Sequence, residues 1–419
     1  MPEKRKYDVI VVGGGHNGLV NGAYLAKAGL STLILERRHL VGGAAITEEL
    51  YPGFSFTTFS YALSLLRPEI IHELELTKHG FMPLAMPTTF APTADGDYLL
   101  LGQDKSENHH EISRHSPHDA DAYDSYEHMM EQAVHAIRPL MDSIPPDITS
   151  KDPEERARMA AIGSYLADLP SGVLHNLMRL ITGSAADILE DYFESDIMQG
   201  LLASSGIIGT QVGPRSQGSG LVLLYHSFGE HDGAYGSWAF HKGGNGGFTQ
   251  VLARAAEGFG ADIRLESPVD HVATKNGKAT GVVLKDGTEF QAKTVVSALD
   301  PRRTFMELVD PRELPTDLVE NIRRFKFQGT SAKVNFALDS NPTYPGMDGR
   351  SDHYRGFLNM GPSLDYLERA FDDAKYGWYS QKPYIDGSIQ SNIDPDMAPP
   401  GKAVMSCFIQ YAPYHLKES

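Results

Sequence analysis

The stretch from Tyr7 to Gly18 limits this chain to very few folds. Tyr7 to Val12 is a short, mostly apolar, β-branched run, the composition of a parallel strand covered on both faces. Gly13, Gly15 and Gly18 follow with the spacing G-x-G-x-x-G. The first glycine permits a tight turn, the second lets backbone approach a pyrophosphate, and the third lets helix and strand pack closely. A helix opening there turns its free N–H groups and positive dipole end toward an anion. Leu19, Val20, Ala23, Tyr24 and Ala26 continue at near-helical spacing, and Gly29 suits the C-terminal cap. Ser31 to Glu36 is a second apolar strand that ends in an acid, 18 residues after Gly18. An acid at that distance accepts hydrogen bonds from a ribose and repels a 2′-phosphate.

Length and charge set the outer bounds. A chain of 419 residues has room for two or three domains and a large core. A formal net charge of −17 argues against a general nucleic-acid or anionic-membrane surface. No apolar run reaches the length that spans a bilayer. Met1 to Lys6 leads directly into the first strand and leaves no room for a signal or transit peptide, so a cytoplasmic location is expected. The single cysteine, Cys407, excludes an internal disulfide or an active-site dithiol and reads as a small buried apolar residue. His109, His110, His115 and His118 match no metal-ligand spacing, and no metal site is expected.

Further along, Asp95-Gly96 marks a hairpin before the strand Tyr98 to Leu101. Ser116-Pro117-His118-Asp119 reads as a helix start, with Ser as N-cap, Pro at N1 and Asp completing a capping-box variant. The chain from about 117 to 210 reads as mostly helical, with a loop at 144–153 and one helical pattern running from Ala185 to Leu202. The segment 213–247 concentrates Gly, His and aromatic residues. Its Gly243 to Gly247 turn, with Glu266 lying 20 residues after Gly246, leaves open a second phosphate-binding turn. Against it, Thr249 stands where a third glycine belongs, and no clear buried strand precedes the turn. Asn276-Gly277 and Asp286-Gly287 join short strands at 269–274, 280–285 and 288–292. A separate parallel strand is expected over 294–298, and residues 329–339 alternate like a strand.

The run Gly13 to Val20, together with Leu35-Glu36-Arg37-Arg38-His39-Leu40-Val41-Gly42-Gly43-Ala44-Ala45, resembles a flavoprotein family. That family includes phytoene dehydrogenases, carotenoid isomerases and amine oxidases. The resemblance covers the whole chain, most closely along a branch beside the phytoene dehydrogenases. It implies an α/β fold: a Rossmann-like FAD-binding domain of glutathione-reductase type, with an inserted α+β substrate domain. The FAD domain would comprise 1–85 and 240–304, and the substrate domain 86–239 and 305–419. FAD would lie on Gly13, Gly15, His16, Asn17, Gly18, Glu36, Arg37, Gly42, Gly43 and Ala44, with the backbone of Val269 against the adenine. Ser60 and Tyr61 would face the flavin or the substrate. His226, Trp238 and His241 are candidates for the cavity wall, and Lys333 resembles an amine-oxidase lysine beside the reactive flavin nitrogen.

Lys333, His226 and His241 are thus the expected catalytic residues. The implied reaction is FAD-dependent hydride removal from a C–H bond of a lipophilic small molecule. Two alternatives stand beside it: an amine-oxidase-like enzyme breaking a C–N bond, and a non-catalytic flavin-binding interaction protein. No nucleic acid or transmembrane segment is expected, while peripheral membrane contact stays open. The family's closing FAD segment has no recognisable counterpart before Ser419, so a missing final segment is expected.

Overall fold

The computed structural model describes residues 6–231 and 234–417. Two six-stranded sheets organise them. The first has the order Asp262–Arg264, β2 (Thr32–Leu35), β1 (Lys6–Val12), Glu289–Ser297, Lys278–Leu284, Val269–Lys275. Its first four strands are parallel and the last two are antiparallel additions. Along β1 the side chains divide strictly. Val9 and Val11 join the cluster of α1 (His16–Lys27) and the helix Gly244–Gly258, while Ile10 and Val12 join Leu33, Leu35, Val282 and Phe290 behind the sheet. Burial on both faces is why Val9 to Val12 reads as an unbroken apolar run.

Glu289–Ser297 is one continuous strand, where two were expected over 288–292 and 294–298. It pairs antiparallel with the hairpin on one edge and parallel with β1 on the other. No turn residue separates Ala292 from Thr294, so the chain has no reason to break.

The second sheet has the order Ser331–Leu338, Ala403–Gln410, Tyr384–Ile389, Phe357–Met360, Thr89–Pro92, Tyr98–Leu101. A helical layer packs near it. Its members include Pro117–Met141, Ser171–Thr182, Asp196–Ser204, Ser219–His226 and Leu364–Lys375, sharing one core with Tyr384 and Tyr411.

The pattern from Ala185 to Leu202 breaks into two helices, Ala185–Leu189 and Asp196–Ser204. The break comes from Asp119. Its fully buried carboxylate accepts hydrogen bonds from the Glu194 and Ser195 amides at 2.8 and 3.0 Å and from the Ser195 hydroxyl at 2.5 Å. Ser116 does cap its helix, its hydroxyl accepting from the Asp119 amide at 3.1 Å. Asp119 does not complete a capping box, because that carboxylate is taken up by the Glu194–Ser195 turn.

Candidate active site

The β1–α1 turn comes first in the chain. Gly13 adopts φ +104°, a conformation that favours glycine. A Cβ on Gly18 would lie 2.0 Å from the Gly13 carbonyl oxygen, so helix and turn approach as closely as the spacing predicts. Glu36 stands at the mouth of this turn and is buried. Its Oε2 accepts from the Gly14 amide and its Oε1 from the Arg38 amide, each at 2.9 Å. Each oxygen keeps a lone pair for a further donor.

Gly42 and Gly43 lie directly on the same turn. The Gly42 amide donates to the Gly14 carbonyl at 2.9 Å, and a Cβ on Gly43 would come within 3.0 Å of the Gly15 Cα. His16, Asn17, Arg37, Gly43 and Ala44 are exposed around it. No side chain caps α1 and no acid lies in its first turn. Bare amides at an uncapped helix start, with an acid at ribose distance, fit the adenosine diphosphate half of a dinucleotide. Val269 begins the outermost strand, two residues after Ser267, whose amide donates to the Glu36 carbonyl at 2.8 Å.

The second glycine-rich turn is built for packing. A Cβ on Gly244 or Gly246 would meet Thr47 at 2.1 and 2.2 Å, and one on Gly247 would meet the Lys242 carbonyl at 2.4 Å. The Gly243 amide donates to the Asp394 carboxylate at 2.6 Å, an anion that repels phosphate. The strand before this turn, Ala239–His241, pairs antiparallel with Pro83–Ala85 outside the parallel sheet.

A cavity of about 760 Å³ lies between the second sheet, the segment after Phe56, and the helices Asp196–Ser204 and Ser219–His226. Phe59, Tyr61, Met86, Trp238, Phe357 and Phe408 give it an aromatic and apolar wall, and Asp386 is its carboxylate. His226 lines it, stacked on Trp238 at 6.2 Å between ring centroids, with Nδ1 3.0 Å from the Val222 carbonyl. Burial lowers the pKa of His226. His241 does not reach the cavity wall. The Met82 amide donates to its Nε2 at 3.1 Å, which makes Nδ1 the donor to the Lys242 carbonyl at 2.6 Å. With both nitrogens held by backbone, His241 has a structural job.

Lys333 lies on the edge strand of the second sheet, on the face that walls the cavity. Strand register sets Lys333 opposite Phe408, Phe408 opposite Asp386, and Asp386 opposite Asn359. The four form one row on one face of four adjacent strands. Tyr61 covers the row. Its ring lies 3.6 Å from the Lys333 ammonium, it stacks on Phe408 at 6.1 Å, and its hydroxyl donates to Asp386 Oδ2. The Lys333 Nζ is buried with no hydrogen-bond partner. Burial pushes Lys333 down to about 7, opposed by the nearby Asp386. Burial likewise pushes Asp386 up to about 7, opposed by the Tyr61 hydrogen bond and Lys333.

Asp386, Asn359 and Phe408 escaped the sequence reading. The one available signal was an acid at an inward position of the strand-like run Tyr384-Ile385-Asp386-Gly387-Ser388-Ile389.

A nucleotide-type sheet carrying a glycine cradle, joined to a second sheet that walls a deep cavity, is the plan of a dinucleotide-dependent oxidoreductase. The chain belongs to the flavin containing amine oxidoreductase family, whose signature matches residues 18–417, and it is an FAD-dependent oxidoreductase. It is 39% identical over 435 residues to mouse (Mus musculus) pyridine nucleotide-disulfide oxidoreductase domain-containing protein 2, a match covering 99% of this chain and 75% of that protein. It is 26% identical to a limonene dehydrogenase component of Castellaniella defragrans, again over 99% of this chain and 75% of the relative. Among solved structures, putrescine oxidase bound to putrescine superposes with a TM-score of 0.56 at 17% identity, covering 98% of this chain and 76% of that one. That last likeness is one of fold.

Proposed function

We propose that this chain is a dehydrogenase that removes a hydride from a C–H bond of an apolar small molecule. The observation that carries the reading is the aromatic cavity of about 760 Å³ beside the Lys333–Asp386 row. Trp238, Phe357 and Phe408 give the cavity an apolar wall that desolvates a hydrocarbon guest, while polar groups such as Asp386, Asn359 and His226 line the rest and can orient it. In this reading the fold is of glutathione-reductase type, with FAD bound by 1–85 and 240–304 and substrate by 86–239 and 305–419.

The amides of Gly13 to Gly18, with His16 and Asn17, would hold the pyrophosphate, and Glu36 the ribose. Arg37, Gly42, Gly43, Ala44 and the Val269 backbone would complete the cofactor contacts. FAD, when bound, supplies the hydride acceptor. The protein holds the donor carbon in place, excludes water with the aromatic wall, and manages the proton that leaves. Lys333 supplies a buried positive charge that steadies electron density gathering nearby. His226 orients the guest from the opposite wall.

The experiment is anaerobic flavin bleaching by purified protein against polyenes, fatty derivatives and amines. Bleaching by an apolar hydrocarbon with formation of a C=C bond is expected. A flavin that stays oxidised with every hydrocarbon overturns the reading.

A second reading, oxidation of a C–N bond, is favoured by the family's amine oxidoreductase description and by the unpartnered Lys333 Nζ. It requires amines to bleach the flavin and Lys333→Met to slow that step by about a hundredfold. Unchanged reduction by amines in that variant rejects it.

A further inference from the structure

Tyr61 separates the two titratable members of the row. Lys333 lies beneath the Tyr61 ring, whereas Asp386 opens onto the cavity. Of the pair, only the carboxylate is on the wall that a guest touches. The Tyr61 hydroxyl donates to Oδ2 and so fixes the rotamer of Asp386. No arginine faces the carboxylate, and no salt bridge is formed by it among the described residues. A structural carboxylate buried this completely is normally paired, because an isolated charge in an apolar site is costly.

We propose that Asp386 is a catalytic residue, the base that takes the proton released when the substrate is oxidised. This rests on the dehydrogenase reading above. The step balances as follows. One substrate carbon gives its hydrogen and the bonding electron pair to FAD as hydride. The adjacent carbon gives its hydrogen to an Asp386 oxygen as a proton, and its bonding pair becomes the new C=C bond. The substrate loses two hydrogens and two electrons, the hydride being what bound FAD would accept, and Asp386 ends as a neutral carboxylic acid. As the hydride departs, positive charge develops on the substrate and the neighbouring C–H becomes acidic, so a carboxylate is a strong enough base. Before proton transfer, its negative charge also stabilises that developing cation.

The titratable groups around Asp386 come from six segments of the chain. Tyr61 follows the strand Phe54–Thr57, Lys333 lies on Ser331–Leu338, Cys407 on Ala403–Gln410, and Tyr384 on its own strand. His226 and Tyr123 line the cavity from the helices Ser219–His226 and Pro117–Met141. Burial raises Tyr61 and Tyr384 well above ordinary phenols and Cys407 to about 11, so all three stay neutral near pH 7. Asp386, Lys333 and His226 are left to set the charge of the site.

The test uses the FAD-loaded enzyme, with Asp386→Asn and Asp386→Glu beside the wild type. Dodecyltrimethylammonium, kept below its micelle concentration, stands in for an apolar cation, and its binding is read from the flavin absorption band. Wild-type affinity should fall by about tenfold between about pH 8 and about pH 6 as the carboxylate is protonated. Asp386→Asn should bind the probe weakly and keep only the smaller pH dependence contributed by Lys333 and His226, and Asp386→Glu should restore part of the rest. With a hydrocarbon that bleaches the wild-type flavin, Asp386→Asn should lower the limiting reduction rate by about a hundredfold or more. Its flavin spectrum should be unchanged. Equal probe binding with the same pH profile in Asp386→Asn overturns the proposal, as does a limiting rate that is unchanged while only the half-saturating concentration rises. If no hydrocarbon bleaches the wild-type flavin, the dehydrogenase reading fails. The cation titration then still shows by itself whether Asp386 is the ionised wall group.

Discussion

Asp386 and Glu36 are both buried carboxylates, and their surroundings give them opposite characters. Glu36 accepts two backbone N–H bonds, one to each oxygen, and is held in place at a helix start. Asp386 has one phenol and a lysine beyond it. Replacing Glu36 by Gln removes one of the two acceptor oxygens that hold the Gly14 and Arg38 amides and sets an NH2 donor against one of them, so it should loosen the turn as well as weaken a ribose contact. Glu36→Gln should lower FAD affinity by about tenfold or more, measured by fluorescence titration, since a hydrogen bond to a charged group contributes roughly 1.5–3 kcal/mol. For Asp386 the linkage sign is reversed from that of an ordinary salt-bridged acid. Its folded pKa of about 7 lies above the ordinary 3.8, so the folded state binds the extra proton between those values. Stability therefore falls as pH rises through that window and is flat above it. Asp386→Asn, which keeps an acceptor for Tyr61, should be more stable than wild type at about pH 8, by on the order of a few kcal/mol. The advantage should shrink steadily toward pH 4 in a series of denaturant melts.

At the scale of elements, Asp119 joins the start of the long helix Pro117–Met141 to the turn before Asp196–Ser204. Burial raises its pKa, but bonds from the Ser195 hydroxyl and the Glu194 and Ser195 amides more than offset this and lower it. That stabilisation is present above the ordinary value of 3.8 and is lost as pH falls through the lower folded value. Asp119→Ala removes the acceptor of two part-buried amides and of the Ser195 hydroxyl and should destabilise the protein by about 1–3 kcal/mol at neutral pH. The difference from wild type should narrow in acid, and a constant difference across pH would reject the linkage. The same contact explains why a helical pattern continuous in sequence is broken in space. Amides held by a distant carboxylate cannot also serve a helix.

For the molecule as a whole, the described helices include none long and apolar enough to cross a membrane. The two sheets meet through the segment that follows Gly42-Gly43. It runs as the hairpin Thr47–Thr57 beneath the helix Gly244–Gly258 and ends with Tyr61 laid over the second sheet. A cofactor that bridges the glycine cradle and that segment stabilises the folded state alone. Adding FAD to cofactor-free protein at about a hundred times its Kd should therefore contribute about 2.7 kcal/mol. A single cooperative transition should move up as a whole, whereas two transitions of which FAD raises only one would place the cofactor on one sheet.

Sequence alone determined the first fifty residues or so and the hairpins at Asn276-Gly277 and Asp286-Gly287, because those features are local. A glycine with positive φ, a strand buried on both faces and an acid at fixed separation write their requirements into neighbouring positions. Local pattern also located the helix start at Ser116 and the strand containing Lys333. Tertiary structure alone decided that His241 is consumed by backbone and that Gly243 to Gly247 packs on Thr47. It alone brought Lys333, Phe408, Asp386 and Asn359 into one row from four strands. Pairing between strands separated by tens of residues leaves no periodic trace, since each strand carries only its own alternation of inward and outward positions. Which inward residue meets which is settled by register, and register is a property of the assembled sheet.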